Sequence, residues 1–176
     1  DVSKELERCF RKKGIKIMTN ASVEKVEGAG EGVKATVKKE TGVETLEADV
    51  VLSAVGIAAN IENIGLESLK ITVDKGKVIV DKYYKTNVDG VYAIGDITPG
   101  QALAHVASKG AIICVEAIAH KEGKYKHMPE PLDYGNVPGC TYCSPEVASV
   151  GLTEKQAKEA GYDVKVGKFP FSASGK

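Results

Sequence analysis

Val91-Tyr92-Ala93-Ile94-Gly95-Asp96 runs through Ile97-Thr98-Pro99-Gly100 into Gln101-Ala102-Leu103-Ala104-His105 and a long apolar segment. Four β-favouring or small apolar residues ending on Gly-Asp predict a buried strand that delivers a carboxylate at the carboxyl edge of a sheet. In open α/β folds that edge is where ligands bind. From Ala102 to about Ala119, small and apolar residues cover nearly the whole circumference and predict a helix buried all round. The free amides at its start can hold an anionic or carbonyl group. A lone Gly-Asp is most often a turn. The strand before Asp96 and the helix after it are what raise a ligand role, accepting hydrogen bonds from sugar or polyol hydroxyls. His105 falls in the first turn of that helix with no carboxylate partner near it in sequence. A satisfied core or interface histidine is therefore favoured over a catalytic one.

Upstream, Val2, Leu6, Cys9 and Phe10 recur at helical spacing in a helix that opens at Asp1-Val2-Ser3-Lys4 and closes on Lys12-Lys13-Gly14. Ile15 to Met18 then reads as a short strand, completing the second half of a βαβ unit. Ser22 to Glu27, Val33 to Lys39 and Val43 to Glu47 alternate as three antiparallel strands. Gly28-x-Gly30-x-Gly32 between the first two lacks the strand-to-helix setting of a nucleotide loop and reads as a hairpin turn. Asp49 to Val55 is apolar enough for a buried parallel strand, and it ends on Gly56, where a backbone or a ligand can approach. Residues 57–70 read as an irregular crossover with a helical turn near Ile61 to Ile64. Ile71 to Val73 and Val78 to Val80 form a hairpin across Asp74-Lys75-Gly76-Lys77. Asp81 to Asn87 could carry one more short strand, and Asp89-Gly90 turns the chain into Val91.

Downstream, Gly123 and His127-Met128-Pro129-Glu130-Pro131 end the long helix and mark the best domain boundary. Cys140 to Tyr142, Val147 to Gly151 and Tyr162 to Phe169 are strand-like. Thr153 with Gln156 fits a capping box for a helix that stops at Gly161. The chain opens on an amphipathic helix with no strand before it. It closes on Phe169-Pro170-Phe171-Ser172-Ala173-Ser174-Gly175-Lys176 with no closing element. An internal fragment of a longer protein is expected.

Charge balances at 24 basic against 24 acidic residues, and the basic ones are lysines apart from Arg8 and Arg11. No basic field for nucleic acid is present. No apolar run approaches the roughly 18 residues of a membrane span. Three of the four cysteines, Cys9, Cys114, Cys140 and Cys143, sit in apolar patterns that suggest reduced core thiols and a cytosol-like compartment. Cys140-Thr141-Tyr142-Cys143 has redox or half-zinc spacing. It has no second pair, and on a strand its thiols would point to opposite faces, so incidental cysteines are favoured. No P-loop, metal cluster or helix-opening Gly-x-Gly-x-x-Gly occurs.

Val91 to Asp96, followed by Leu103-Ala104-His105 and Gly110, resembles the second flavin motif of the pyridine nucleotide-disulphide oxidoreductases. Pro145 to Glu154 and Lys165 to Phe171 are similar to the opening of that family's dimer-interface domain. These two stretches favour the members that oxidise dihydrolipoamide and reduce NAD over glutathione or mercuric reductases. The resemblance covers essentially the whole chain. It implies that the FAD ribityl chain lies against Asp96, with the flavin's pyrimidine edge over Ala102, Leu103, Ala104 and His105. A helix N-terminus there suits the negative charge of a reduced flavin. Val23 and Gly56 are implied beside NAD. The chain departs from the family at Gly56-Ile57-Ala58-Ala59-Asn60, where Gly-Arg-x-Pro-Asn is usual, and at Ala102, where Met is usual.

The expected fold is α/β: partial doubly wound FAD/NAD(P)-binding units with a three-stranded β-meander, then the start of an α+β dimerisation domain. Residues 1–60 would be the second half of an NAD-binding domain, 61–128 an FAD-binding segment and 129–176 the start of the interface domain. The whole protein would be a homodimer working with 2-oxo acid dehydrogenase complexes in the cytoplasm or the mitochondrial matrix. Both phosphate-binding glycine loops, the family's Cys-x4-Cys pair and its His-Glu acid–base pair are missing from this sequence. No catalytic residue, turnover or FAD retention is expected of the 176 residues alone. A related flavin-dependent disulphide or metal reductase, or a non-catalytic dimerisation or partner-binding module, are the alternatives.

Overall fold

Glycine decides where the helices stop. The computed structural model describes residues 2–174, within which α1 spans Val2–Lys12, α2 Ala104–Lys121 and α3 Glu154–Glu159. The helix opening read at Asp1 and the last two residues of the terminal stretch, Gly175 and Lys176, lie outside the described residues. After each helix a glycine turns left-handed: Gly14 at φ +81°, Gly123 at +72° and Gly161 at +86°. Gly14 N–H donates to Arg11 O at 3.0 Å and Ile15 N–H to Phe10 O at 3.0 Å. The same pair of bonds runs from Gly123 to His120 at 3.0 Å and from Lys124 to Ala119 at 2.8 Å. It recurs from Gly161 to Lys158 and from Tyr162 to Ala157, both at 3.0 Å. These are Schellman ends, which satisfy the last carbonyls and cost least when the turning residue has no Cβ. α3 also opens on the predicted capping box: Gln156 N–H donates to Thr153 Oγ1 at 3.2 Å, and Thr153 N–H to Gln156 Oε1 at 3.0 Å.

The described chain divides into two units, one of residues 1–57 with 143–147 and one of residues 58–142 with 148–176. In the first, α1 carries ion pairs along its exposed side, with Arg11 Nη2 2.7 Å from Glu7. β1 (Ala21–Ala29), β2 (Gly32–Lys39) and β3 (Gly42–Ala48) form the predicted antiparallel meander in the order β1-β2-β3. Its register runs from Ala21↔Lys39 to Ala29↔Gly32 and from Val33↔Ala48 to Lys39↔Gly42. Gly30, at φ +64°, turns the first hairpin, as read from the glycine cluster.

In the second unit β4 (Val73–Asp74) and β5 (Lys77–Val78) pair across Lys75 at φ +47° and Gly76 at φ +72°. Two positive φ values in a two-residue loop match the right-handed twist of the strands. Single 3-10 turns follow at Gly95–Ile97, Tyr134–Asn136 and Phe171–Ala173, and β6 (Gly139–Thr141) pairs with β7 (Val147–Ser149). The core gathers Tyr84, Ile113 and Cys114, with Val80, Tyr83, Tyr92, Ile118 and Leu132 packed around them.

Five predicted strands are not strands. Residues 15–18, 49–56 and 162–169 run as coil, and residues 81–87 and 91–94 meet only around one bridge, Lys85↔Tyr92, where Thr86 N–H donates to Val91 O and Ala93 N–H to Tyr84 O, both at 3.0 Å. Apolar patterning shows which segments want burial, but a strand exists only through a neighbour that takes its N–H and C=O groups. Residues 91–93 meet such a neighbour only briefly, at residues 84–86, too short a pairing to make a strand. The consequence is plainest at Val50, Leu52 and Val55, which are 79%, 89% and 96% exposed. α2 is likewise buried on one face only, through Val106, Gly110, Ile113, Cys114 and Ala117, while Ile112 and Val115 face solvent. Three of the four cysteines are expected as core thiols, but Cys114 alone is buried; Cys9 and Cys143 are half-buried and Cys140 is exposed.

Candidate functional site

Asp96 sits on the Gly95–Ile97 turn. Ile94 arrives extended, at φ −136° and ψ 166°, and Gly95 reverses the chain at φ +74°. Thr98 locks the turn: its N–H donates to Gly95 O at 2.9 Å and its hydroxyl to the same oxygen at 2.8 Å. Thr98 is buried. A Cβ at Gly95 would lie 3.4 Å from that of Ala107, so the turn rests on the first turns of α2. Asp96 is exposed, and its backbone carbonyl accepts a hydrogen bond from Lys77 Nζ on the β4–β5 hairpin.

Ala102 and Leu103 lead into α2 half-buried, while Ala104 and His105 are exposed. Leu103, at φ −134° and ψ 137°, caps the helix without a side-chain hydrogen bond, and no acidic residue occupies the first turn. The first intrahelical donor is Ala107, whose N–H reaches Leu103 O at 3.0 Å. The amides of Ala104, His105 and Val106 therefore lack intrahelical acceptors, at a helix end carrying about half a positive charge. His105 Nε2 lies 3.1 Å from Pro138 O. A carbonyl can only accept, so Nε2 is the donor in this contact. The histidine is satisfied, as read from the sequence, but it sits at the surface rather than in the core. With Lys109, Asp133, Asn136 and Pro138 it lines a cleft of ≈ 260 Å³.

Val23 and Gly56 belong to the other unit. Val23, on β1, is 59% exposed beside a register shift between Val23 and Lys25. Gly56 is exposed at φ +142°, with open space where a side chain would be. The structure thus collects the five flavin candidates on one turn and one helix start, and holds the two NAD candidates in a separate unit. Three residues of the flavin-side neighbourhood escape sequence reasoning: Lys77, Thr98 and Tyr134. Thr98, two residues after Asp96, was the most findable, as a hydroxyl closing a turn. Nothing in the sequence signals that Lys77 meets this turn or that the Tyr134 ring lies against Gly100.

Chemically, the arrangement offers one exposed carboxylate that accepts from hydroxyls and one row of amides that donates to an anion. Such a face has the chemistry to take an elongated polyhydroxylated ligand. No group of His, Cys, Asp or Glu among the described residues could hold a metal ion. No helix among the described residues is long and apolar enough to cross a membrane.

Residues 1–111 match the family model of the pyridine nucleotide-disulphide oxidoreductases, and residues 137–176 match that family's dimerisation domain. A dihydrolipoyl dehydrogenase of Rhizobium etli is 49% identical over 168 residues, covering 95% of this chain and 34% of the relative. A dihydrolipoyl dehydrogenase of Zymomonas mobilis is 45% identical over 177 residues, covering 100% of this chain and 37% of the relative. The structure is similar to that of the HOCl-induced flavoprotein disulfide reductase RclA from Escherichia coli. There the TM-score is 0.80 at 26% identity, over 98% of this chain and 38% of the other. The chain spans about a third of the length of the curated relatives it matches.

Proposed function

Since the chain belongs to the pyridine nucleotide-disulphide oxidoreductase family, we propose that it is the central-to-interface portion of a dihydrolipoyl dehydrogenase. Dihydrolipoamide would be oxidised to its cyclic disulphide, a hydride would pass to NAD, and the remaining proton would go to solvent. FAD, when bound, supplies the two-electron relay between dithiol and nicotinamide. Residues 1–60 would form the second half of the NAD-binding domain, 61–128 an FAD-binding segment and 129–176 the start of the dimer interface. The whole protein would act as a homodimer with 2-oxo acid dehydrogenase complexes, in the cytoplasm or, in a eukaryote, the mitochondrial matrix.

One observation carries the site assignment. An exposed carboxylate stands on a turn packed against an 18-residue helix whose N-terminus has neither a side-chain cap nor an acidic first turn. These residues fit a flavin dinucleotide along one side. Asp96 would accept hydrogen bonds from the ribityl hydroxyls, and the amides of Ala104, His105 and Val106 would stabilise negative charge at the flavin's pyrimidine edge. Ala102 and Leu103 would shape the approach to that edge. Val23 and Gly56 would flank NAD, Gly56 by leaving room for close approach.

The test is flavin retention by the flavoprotein that carries this sequence. Asp96→Ala is expected to lower the FAD-to-protein ratio after gel filtration, with the fold intact by circular dichroism. An unchanged ratio would remove Asp96 from the site. A second reading, a flavin reductase acting on another disulphide, is favoured by the likeness to RclA. Turnover with NAD and dihydrolipoamide, set against turnover with other disulphides, separates the two.

A further inference from the structure

The segment just before β6 touches the flavin-side turn and helix at separate points. The Tyr134 ring fills the space where a side chain would stand on Gly100: a Cβ there would come within 2.7 Å of Tyr134 Cε1 and 3.0 Å of Cζ and the hydroxyl oxygen. Gly100 closes the loop that begins at Asp96, and Pro99 and Tyr134 line one cleft of ≈ 340 Å³ with Tyr84. Burial, and after it the neighbouring Tyr134 phenol, push the Tyr84 phenol up to about 12. The Tyr84 ring in turn presses on α2, where a Cβ at Gly110 would lie 2.8 Å from its Cζ and hydroxyl oxygen. Four residues past Tyr134, the Pro138 carbonyl accepts the His105 hydrogen bond at the start of the same helix. The ring is held in turn: Asp133 Oδ1 accepts from Gly135 N–H at 2.9 Å and fixes the Tyr134–Asn136 turn.

We propose that Tyr134 is a positioning residue for the flavin site, its ring seated on Gly100 so that the Asp96–Gly100 loop and the start of α2 keep one geometry. This rests on the assignment of Asp96 and the helix start to FAD. The ring does the positioning and the hydroxyl is secondary. Phenylalanine should therefore serve at this position, and a side chain without a flat ring should not.

The experiment compares Tyr134→Phe, Tyr134→Leu and Tyr134→Ala in the flavoprotein that carries this sequence, with Asp96→Ala beside them. Two readouts are taken: the FAD dissociation constant, and the hydrogen-exchange rate of the Thr98 amide, which reports the turn whatever binds there. Tyr134→Ala and Tyr134→Leu are expected to weaken FAD binding by about ten-fold, as misplacement of a binding group does, and to speed Thr98 exchange. Tyr134→Phe should stay within about two-fold of the parent on both. Exchange and FAD affinity unchanged in Tyr134→Ala would overturn the proposal. So would equal losses in all three variants accompanied by a general fall in melting temperature, the mark of a merely structural residue. If Asp96→Ala leaves FAD affinity untouched, the flavin assignment fails; Thr98 exchange then still decides whether Tyr134 holds the turn.

Discussion

At the residue scale, the informative positions are those where backbone and ring meet without a side chain between them. Gly110 lies inside α2, where alanine is favoured by close to 1 kcal/mol on propensity alone. Here a methyl group would come within 2.8 Å of Cζ and the hydroxyl oxygen of the buried Tyr84 ring. Overpacking of this kind costs about 1–3 kcal/mol, enough to outweigh the helical gain. Gly110→Ala is therefore expected to lower stability by about 1–2 kcal/mol in chemical denaturation. A stabilised variant would show that the ring is free to swing away. Gly110 could be read from the sequence as part of a motif, but not why it must be small. Tyr84 lies 26 positions earlier and nothing in its neighbours predicts the contact.

At the scale of elements, what could be read was local chemistry. The Schellman glycines, the Thr153–Gln156 box, the Lys75-Gly76 turn and the three meander strands are settled by residues within a few positions of one another, and each formed where the sequence placed it. What could not be read was long-range pairing. Residues 49–56 carry the composition of a buried strand, yet composition does not name a partner. The meander also has an electrostatic fastening. Glu44 on β3 lies 2.9 Å from Lys16 Nζ and pairs as well with Lys39. The hydrogen bond from Lys39, then that from Lys16, pull its carboxyl down to about 2. A carboxylate depressed in the folded state adds stability above its ordinary value of 4.5, and that contribution is lost as pH falls toward 2. The melting temperature is expected to drop across that interval, and Glu44→Gln to flatten the drop. An identical slope in the variant would show that the pairs contribute nothing in solution, as many exposed pairs do not.

At the scale of the whole molecule, the two halves of the candidate function are unequally legible. The flavin-side residues are contiguous apart from Asp96, and the structure keeps Asp96 on a turn that rests against the same helix. The nucleotide-side residues, Val23 on β1 and Gly56 in coil, stand on separate segments, so their roles came from resemblance rather than from geometry. The non-strand run of residues 49–57 leaves Val50, Leu52, Val55 and Ile57 at the surface. Such a run exceeds the scattered apolar exposure normal for a folded domain. The 176 residues are accordingly expected to bind a hydrophobic dye and to self-associate. Leu52→Lys should reduce both without lowering the melting temperature. A monomeric chain that binds no dye would mean the run is covered in solution.

The register of the meander has a kinetic side. Its pairings start at adjacent turns, Ala29↔Gly32 and Lys39↔Gly42, and extend outward by zipping, so little chain entropy is lost at each step. Hairpins of this kind close in roughly 1–10 μs, long before slower steps that join distant segments. During synthesis the three strands would be the first β-structure to appear, set in register while residues 49–57 are still emerging behind them. The meander would then stand as a finished edge beside which the apolar run waits in extended form. The order of folding thus follows from two glycine turns.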